Sequence, residues 1–408
     1  MMRTRVITII SLLALAAGCS SHVATLGQDA GTGDTDADSD TDSDSDTDYD
    51  CDTEVETDTH SDTWADTDYG YEFWDWSCAD AGAAPCVDAD LVPLPYEGFT
   101  EADEFGVTFI HASRSSQVVL AEREINDAFE PVVVAYNGDG LLTLGFLDPP
   151  AEPLRAIDIV SEDHHDFYDP WVADWELVLG YAAIALLCGE SSCALYGLAI
   201  DEDGFPLGLE PMKCGEVPLP EAHAVAGGVC VAGDGIACFD GSGWTLEVAP
   251  GGPLLRDLSA DNGFFVAAGD EGRVVTDRGG GWHEIDLGTS MDFVSVSAWE
   301  GIVAASGPEG FAFGDGASAI DCATAAPFTA LFAHSHNGWS GTALTLLSEQ
   351  KVLEIWSDGT DLRSCSRPAD FAGSPRDVGL EYSSVVDGIG GYALTTGGTY
   401  LRLEWGSE

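Results

Sequence analysis

The chain has 408 residues, 45% of them hydrophobic, and its 72 Asp and Glu against 14 Lys and Arg give a formal net charge of -58. The apolar share suffices for a folded core, and the length accommodates one large domain with appendages. A field of this sign repels phosphate backbones, which makes nucleic acid and anionic membrane surfaces poor partners and favours cations, basic proteins or a salty medium.

Residues 1–18 carry Arg3 and Arg5, then an apolar run from Val6 to Ala17 that is too short to span a bilayer and is flanked as a secretory signal is. The run ends in Leu15-Ala16-Ala17-Gly18-Cys19. This stretch resembles the lipobox of bacterial lipoproteins, whose signal is cleaved before a cysteine that is then acylated. The resemblance implies a membrane anchor through lipidated Cys19. Because Ser20 rather than Asp follows, it further implies the outer membrane, with the periplasmic or cell-surface side left open. The alternative is an ordinary secreted protein with a chance cysteine near its cleavage site.

Residues 19–68 are expected to form a disordered tether. From Asp29 to Asp68 acid alternates with Thr, Ser or Ala, and so polar a stretch cannot bury enough surface to offset its ordering entropy. Alternate aspartates also resemble calcium loops, but the run from Thr35 to Asp52 lacks the turn glycine those loops need. Weak association of divalent cations, without a defined metal site, is the expectation. Asp/Thr-rich tethers occur in myxobacterial-type lipoproteins, which this segment resembles.

Residues 69–90 crowd Tyr69, Tyr71, Phe73, Trp74 and Trp76 ahead of Cys78 and Cys86. Such a connector docks on the following domain or supplies a strand that closes it; the alternative is a recognition patch rich in binding aromatics.

Residues 91–408 read as all-β. Apolar runs at Val107 to Ile110, Val132 to Tyr136 and Leu141 to Phe146 are divided by Asn-Gly, Asp-Gly or Asp-Pro signals, and no segment sustains a 3.6-residue period. The longest run, Leu177 to Leu187, reads as part of a buried strand pair because Gly180 and the CGESSC turn interrupt it. Segments beginning at Gly228, Gly263 and Gly301 repeat the order strand, Gly-Asp or Gly-Pro turn, strand, glycine-rich corner. A strand pair this short must pack on its neighbours, which predicts a β-propeller. At roughly 37 to 50 residues a blade, the domain holds six to eight blades, and seven is the expectation.

Eleven cysteines in an exported chain predict disulfides, and setting Cys19 aside for lipid leaves an even ten. If Gly233-Asp234-Gly235 is a hairpin loop, Cys230 faces Cys238 directly, with Gly235 in the left-handed position. Cys188 and Cys193 bracket a four-residue loop, and Cys78 with Cys86 would close a small one. The pairing of Cys51, Cys214, Cys322 and Cys365 stays open.

The corner containing Asp277, Gly279 and Trp282 resembles the Asp-box of sialidase-like propellers, and Asp240 to Trp244 is a shortened copy. The resemblance implies a structural turn in which the aspartate caps backbone amides and the tryptophan packs between strands. Sialidase chemistry itself needs an arginine cluster, for which only Arg114 and Arg123 stand near the start of the domain. His164 and His165 share one loop and His334 with His336 one strand face, but neither pair has zinc spacing. No cofactor motif, phosphate loop or nucleophile elbow occurs.

These features predict a monomeric, non-enzymatic envelope lipoprotein whose propeller binds or scaffolds a protein or glycan. The alternative is an envelope hydrolase or lyase with its site at the propeller's central mouth. Cys19→Ala is expected to abolish acylation and release the chain from the membrane fraction; mass analysis of the N-terminal peptide checks this.

Overall fold

The computed structural model describes residues 78, 92–95, 107–112, 118–125, 128–137, 141–146, 153–160, 181, 183–200, 206–227, 229–261, 264–299, 302–316, 318–323, 327–335, 342–357, 362–368, 375–383, 388–395 and 400–404. The signal, Cys19, the acidic tether, Cys51, Cys86, Arg114, His164, His165 and His336 lie outside these residues.

The described strands form seven four-stranded antiparallel sheets. A single strand, β1 (Val92–Pro95), comes first. Blade 1 is β2 (Val107–Ala112), β3 (Val118–Ile125), β4 (Ala128–Asn137) and β5 (Leu141–Phe146). Blade 2 is β6 (Arg155–Val160), β7 (Ile184–Cys188), β8 (Cys193–Ile200) and β9 (Pro206–Glu216). Blade 3 is β10 (Ala222–Ala226), β11 (Cys230–Gly233), β12 (Ile236–Phe239) and β13 (Trp244–Val248). Blade 4 is β14 (Leu255–Asp261), β15 (Phe264–Gly269), β16 (Val274–Thr276) and β17 (His283–Glu284). Blade 5 is β18 (Ser295–Trp299), β19 (Ile302–Gly307), β20 (Gly310–Gly314) and β21 (Ala319–Ala323). Blade 6 is β22 (Ala330–Ser335), β23 (Thr342–Ser348), β24 (Lys351–Ser357) and β25 (Leu362–Pro368). Blade 7 is β26 (Pro375–Ser383), β27 (Gly388–Thr395) and β28 (Tyr400–Glu404), completed by β1 as its fourth strand. The first strand of each blade packs on the first strand of the next, and β26 returns to β2. The architecture is a seven-bladed β-propeller, closed by pairing of Val92 with Glu404 and Pro95 with Leu401.

Each core cluster lies between two blades. Along β7, Ile184 and Leu186 face Val225 and Val231 of blade 3, while Ala185 and Leu187 face Leu120 and Val133 of blade 1. Along β20, Phe311 and Phe313 pack toward blade 6 and Ala312 toward blade 4. Alternate residues thus leave on opposite faces, and both faces are buried. This is why the strands read as continuous apolar runs rather than as polar alternation. The run ending at Leu187 continues only to Cys188, where the turn hands over to β8; Leu177 to Gly180 lie outside the described residues.

The three aligned repeats are the second and third strands of blades 3, 4 and 5 with the corner that follows. Cys230 is opposite Cys238, Val231 opposite Ala237 and Ala232 opposite Ile236. Cys230–Cys238 and Cys188–Cys193 are bonded, each with Cα atoms 4.0 Å apart. Two expectations are corrected. Cys78 is bonded to Cys322, 244 residues away, and not to Cys86. Cys78 itself therefore sits at β21, the outer strand of blade 5. Gly235 does not adopt a positive φ. A Cβ there would stand 2.4 Å from the Val248 carbonyl oxygen, so glycine is required by close approach of the outer strand.

Neighbouring inner strands are also stitched by side chains. Asp158, 4% exposed, accepts the Val225 N–H of blade 3 at 2.7 Å and the Ile159 N–H at 2.7 Å. Asp257 accepts the Val296 N–H of blade 5 at 2.7 Å and the Leu258 N–H at 2.8 Å. Ser295 Oγ accepts the Leu331 N–H of blade 6 at 3.2 Å. Both aspartates follow a register shift that turns the side chain out of its own sheet and toward the next. Asp158→Ala would leave a buried N–H unpartnered and is expected to cost about 2 to 3 kcal/mol, with Asp158→Asn costing less. Urea unfolding checks this, and a loss within about 0.5 kcal/mol, the range of neutral surface changes, would remove the clamp from the stability argument.

Candidate functional site

Loops joining second to third strands and fourth to first strands emerge on one face of the ring, here termed the upper face. They touch one another there: the Asp234 N–H meets the Glu221 carbonyl at 3.4 Å, and Asp270 donates to the Leu254 carbonyl at 2.8 Å. The Glu271 N–H donates to Asp292 Oδ1 at 2.8 Å.

A polar network sits at this rim between blades 3 and 4. Arg256, one residue into β14, donates from Nε and Nη2 to the two carboxylate oxygens of Asp270 at 2.9 and 2.8 Å. Its Nη1 lies 3.4 Å from His223 Nε2, and Glu221 Oε2 lies 3.6 Å from the same nitrogen. The hydrogen bond from Arg256 holds the Asp270 carboxyl below its usual range, and Asp270 raises Arg256 in return. Burial, aided by the Arg256 charge, pushes the His223 imidazole below its ordinary 6.5, although Glu221 and Asp270 pull the other way. His223 is therefore favoured as a neutral ring. Around the network the loops expose Glu190, Glu221, Glu271, Asp292, Glu309 and Glu349, with no exposed Lys or Arg among the described residues of these loops. Asp234 Oδ1 is buried on the same face without a hydrogen-bond partner.

The lower face carries the corners between third and fourth strands. Asp277 Oδ1 accepts the Phe265 N–H at 2.5 Å, Trp282 stacks on Phe265 with centroids 6.1 Å apart, and Gly279 has φ of 85°. Asp240 Oδ1 accepts the N–H groups of Ser242 and Gly243 at 2.8 and 2.9 Å, and the Trp244 ring N–H donates to the Cys214 carbonyl at 2.8 Å. In blade 5, Asp315 Oδ1 accepts the Ser318 N–H at 2.8 Å. These side chains hold turns, and burial pushes the Asp277 carboxyl up.

Of the four grouped histidines only His334 is among the described residues, in β22 at the position paired with Ala343. Arg123 is engaged by Glu130, at 3.2 Å from Nε and 2.6 Å from Nη2. Among the described residues no group of three or more His, Cys, Asp or Glu is arranged to hold a metal ion. Sequence reasoning missed the inner-strand aspartates and the His223–Arg256–Asp270 network. A signal was available: Asp158, Asp257 and Asp377 each precede an apolar residue near the start of an inner strand and follow a register shift.

No protein-family model matches the chain, and no curated protein matches it. Among solved structures it is similar to the Pan2 WD40 domain of Neurospora crassa, with 11% identity, 80% of this chain and 98% of that chain covered, and a TM-score of 0.45. It is also similar to YCF48 bound to D1 peptide, with 12% identity, 81% and 99% coverage and a TM-score of 0.47. BamB from Moraxella catarrhalis matches with 12% identity, 73% and 85% coverage and a TM-score of 0.41. The seven-sheet ring rests on the chain's own strand pairings.

Because His223 in the folded chain resists protonation, its contribution to stability is full above 6.5 and is lost as pH falls from there through its lowered folded value. His223→Gln is expected to flatten that part of the pH profile relative to the parent chain. Unfolding free energies at pH 7.5, 6.5 and 5.5 test this, and parallel profiles would assign the acid sensitivity elsewhere.

Proposed function

We propose that this protein is an exported lipoprotein, acylated at Cys19 and carried on an acidic tether, whose propeller binds a basic protein partner on its upper face. The observation that carries the binding reading is the charge of that face: six exposed carboxylates on loops from blades 2 to 6, with no exposed Lys or Arg among the described residues of those loops. Such a rim repels anionic glycans and accelerates encounter with a cationic surface. Arg256 and Asp270, already satisfied by one another, fix the start of β14 against the β15–β16 loop of blade 4 rather than meeting the ligand as free charges. The lipobox-like LAAGC sequence supports the anchor, and the acid-alternating stretch after it supports a spacer between anchor and ring.

Photo-cross-linking in cells tests the binding reading. Probes at Glu271 and Glu309 are expected to capture a basic protein, whereas probes at Ser242 and Gly280 on the lower face are not. Charge reversal at Glu221, Glu271 and Asp292 together should abolish the adduct while leaving the thermal midpoint within a few degrees. Equal capture from both faces, or capture indifferent to charge reversal, would overturn the assignment.

A further inference from the structure

At the seam between blades 1 and 2 the upper face differs from the acidic loops beside it. Along β3, Glu122 and Glu124 leave on the same side of the sheet, and Phe129 of β4 stands directly opposite Glu124. That side faces blade 2. Glu122, 4% exposed, accepts Nε and Nη2 of Arg155 from β6 at 2.8 and 3.0 Å and the Ala156 N–H at 2.8 Å. The Arg155 guanidinium carbon lies 4.2 Å from the centre of the Phe129 ring. Leu120, two residues before Glu122 and on the same side, belongs to the core cluster that joins the two blades, so the arrangement stands on packed side chains.

What is held so firmly is nonetheless open to solvent. The Arg155 side chain is 55% exposed, and Phe129, at 38%, is one of three exposed large hydrophobic residues among the described residues. Glu124 is exposed beside them. The Nη1 group of Arg155 bonds to no described residue.

The chemistry of this surface selects its ligand. Glu122 offsets the Arg155 charge and takes two of its donors, which leaves a flat, weakly hydrated guanidinium plane with one free edge. Such a plane stacks on an aromatic ring. A carboxylate is the poorer occupant, because it would approach through the field of Glu124 and the acidic loops to reach an arginine already paired. Glu122 and Phe129 together fix the plane in one orientation, so little side-chain freedom is lost when a ring settles on it. Glu124 then faces whatever flanks that ring, and a lysine or arginine is its complement.

We propose that the Arg155–Phe129 pair anchors an aromatic side chain, tryptophan or tyrosine, that a basic partner carries next to a cationic residue, with the ring stacked on Arg155 and the cation beside Glu124. The proposal rests on the reading that the upper face takes a basic protein and adds the contact that orients it. The acidic loops accelerate encounter from many directions, whereas a buried aromatic contact is the kind that fixes one docked geometry.

Calorimetric titration of the full chain with two synthetic peptides tests this: a short lysine-rich peptide with a central tryptophan, and the same peptide with leucine there. The tryptophan peptide is expected to bind about tenfold more tightly, the scale of one desolvated cation–π contact. Arg155→Lys keeps the charge and removes the plane, and Phe129→Ala keeps the Arg155–Glu122 pair and removes its backing. Each should bring the two peptides within about twofold of one another, chiefly by weakening the tryptophan peptide. In the parent chain, a photoreactive benzoylphenylalanine in place of the tryptophan should attach to the segments that carry Phe129 or Arg155, a readout that needs no variant to fold. Equal affinities in the parent chain, a preference that survives both variants, or attachment elsewhere would overturn the anchor. Charge reversal at Glu221, Glu271 and Asp292 separates the two readings: it should weaken both peptides and leave their ratio unchanged. A tryptophan preference that persists while this reversal changes nothing would keep the anchor and remove the acidic-face reading, and absence of binding by either peptide would end both.

Discussion

Each blade is covered on both faces by its neighbours, so no blade keeps its apolar side chains out of water unless the circle closes. That closure is made by β1 on β28, four residues paired with four across the longest sequence separation in the fold. Seven sheets of short strands have little stability singly, as in other repeat architectures, and gain it from interfaces. The clusters linking Leu120 to Leu187, Val231 to Leu186 and Phe311 to Leu346 are those interfaces. The ring is therefore one cooperative body, and what happens at one seam is felt at the next.

Polar groups at the seams serve geometry. Asp158 and Asp257 cross from one inner strand to the next and set the relative height of adjacent blades, so loops of different blades reach the upper face in fixed register. Arg155 does similar work between blades 1 and 2, donating from Nε and Nη2 to the buried Glu122 carboxylate at 2.8 and 3.0 Å, while the Ala156 N–H donates to the same carboxylate at 2.8 Å. In a chain with so few cations, committing arginines to buried or half-buried partners leaves the surface field almost wholly negative. The acidic upper face is thus a consequence of composition, while its shape is a consequence of the clamps.

The hairpin Cys230 to Cys238 was legible because two constraints, a turn signal and a pair of cysteines at matching offsets, point to one register. The blade count followed from the repeat length, since blades 3, 4 and 5 keep similar spacing. Less was visible where a residue's role depends on a neighbour distant in sequence. Cys78 looks like half of a local loop until Cys322 is brought beside it by three-dimensional packing. Gly235 looks like a left-handed turn residue, but the constraint on it comes from the Val248 carbonyl of the fourth strand. His223 and Arg256 belong to different blades, and no local pattern announces that they meet.

The sequence of β1, Val92-Pro93-Leu94-Pro95, places prolines at alternate positions, and alternate residues of a strand direct their backbone amides to the same side. One edge of this strand therefore lacks two donors, while the other pairs with β28. The strand is made long before its partner, β28, leaves the ribosome. During that interval an ordinary strand would be a template for any exposed sheet edge, its own or another chain's. The prolines make the waiting strand a poor template, and they prevent the finished ring from growing outward by a further strand.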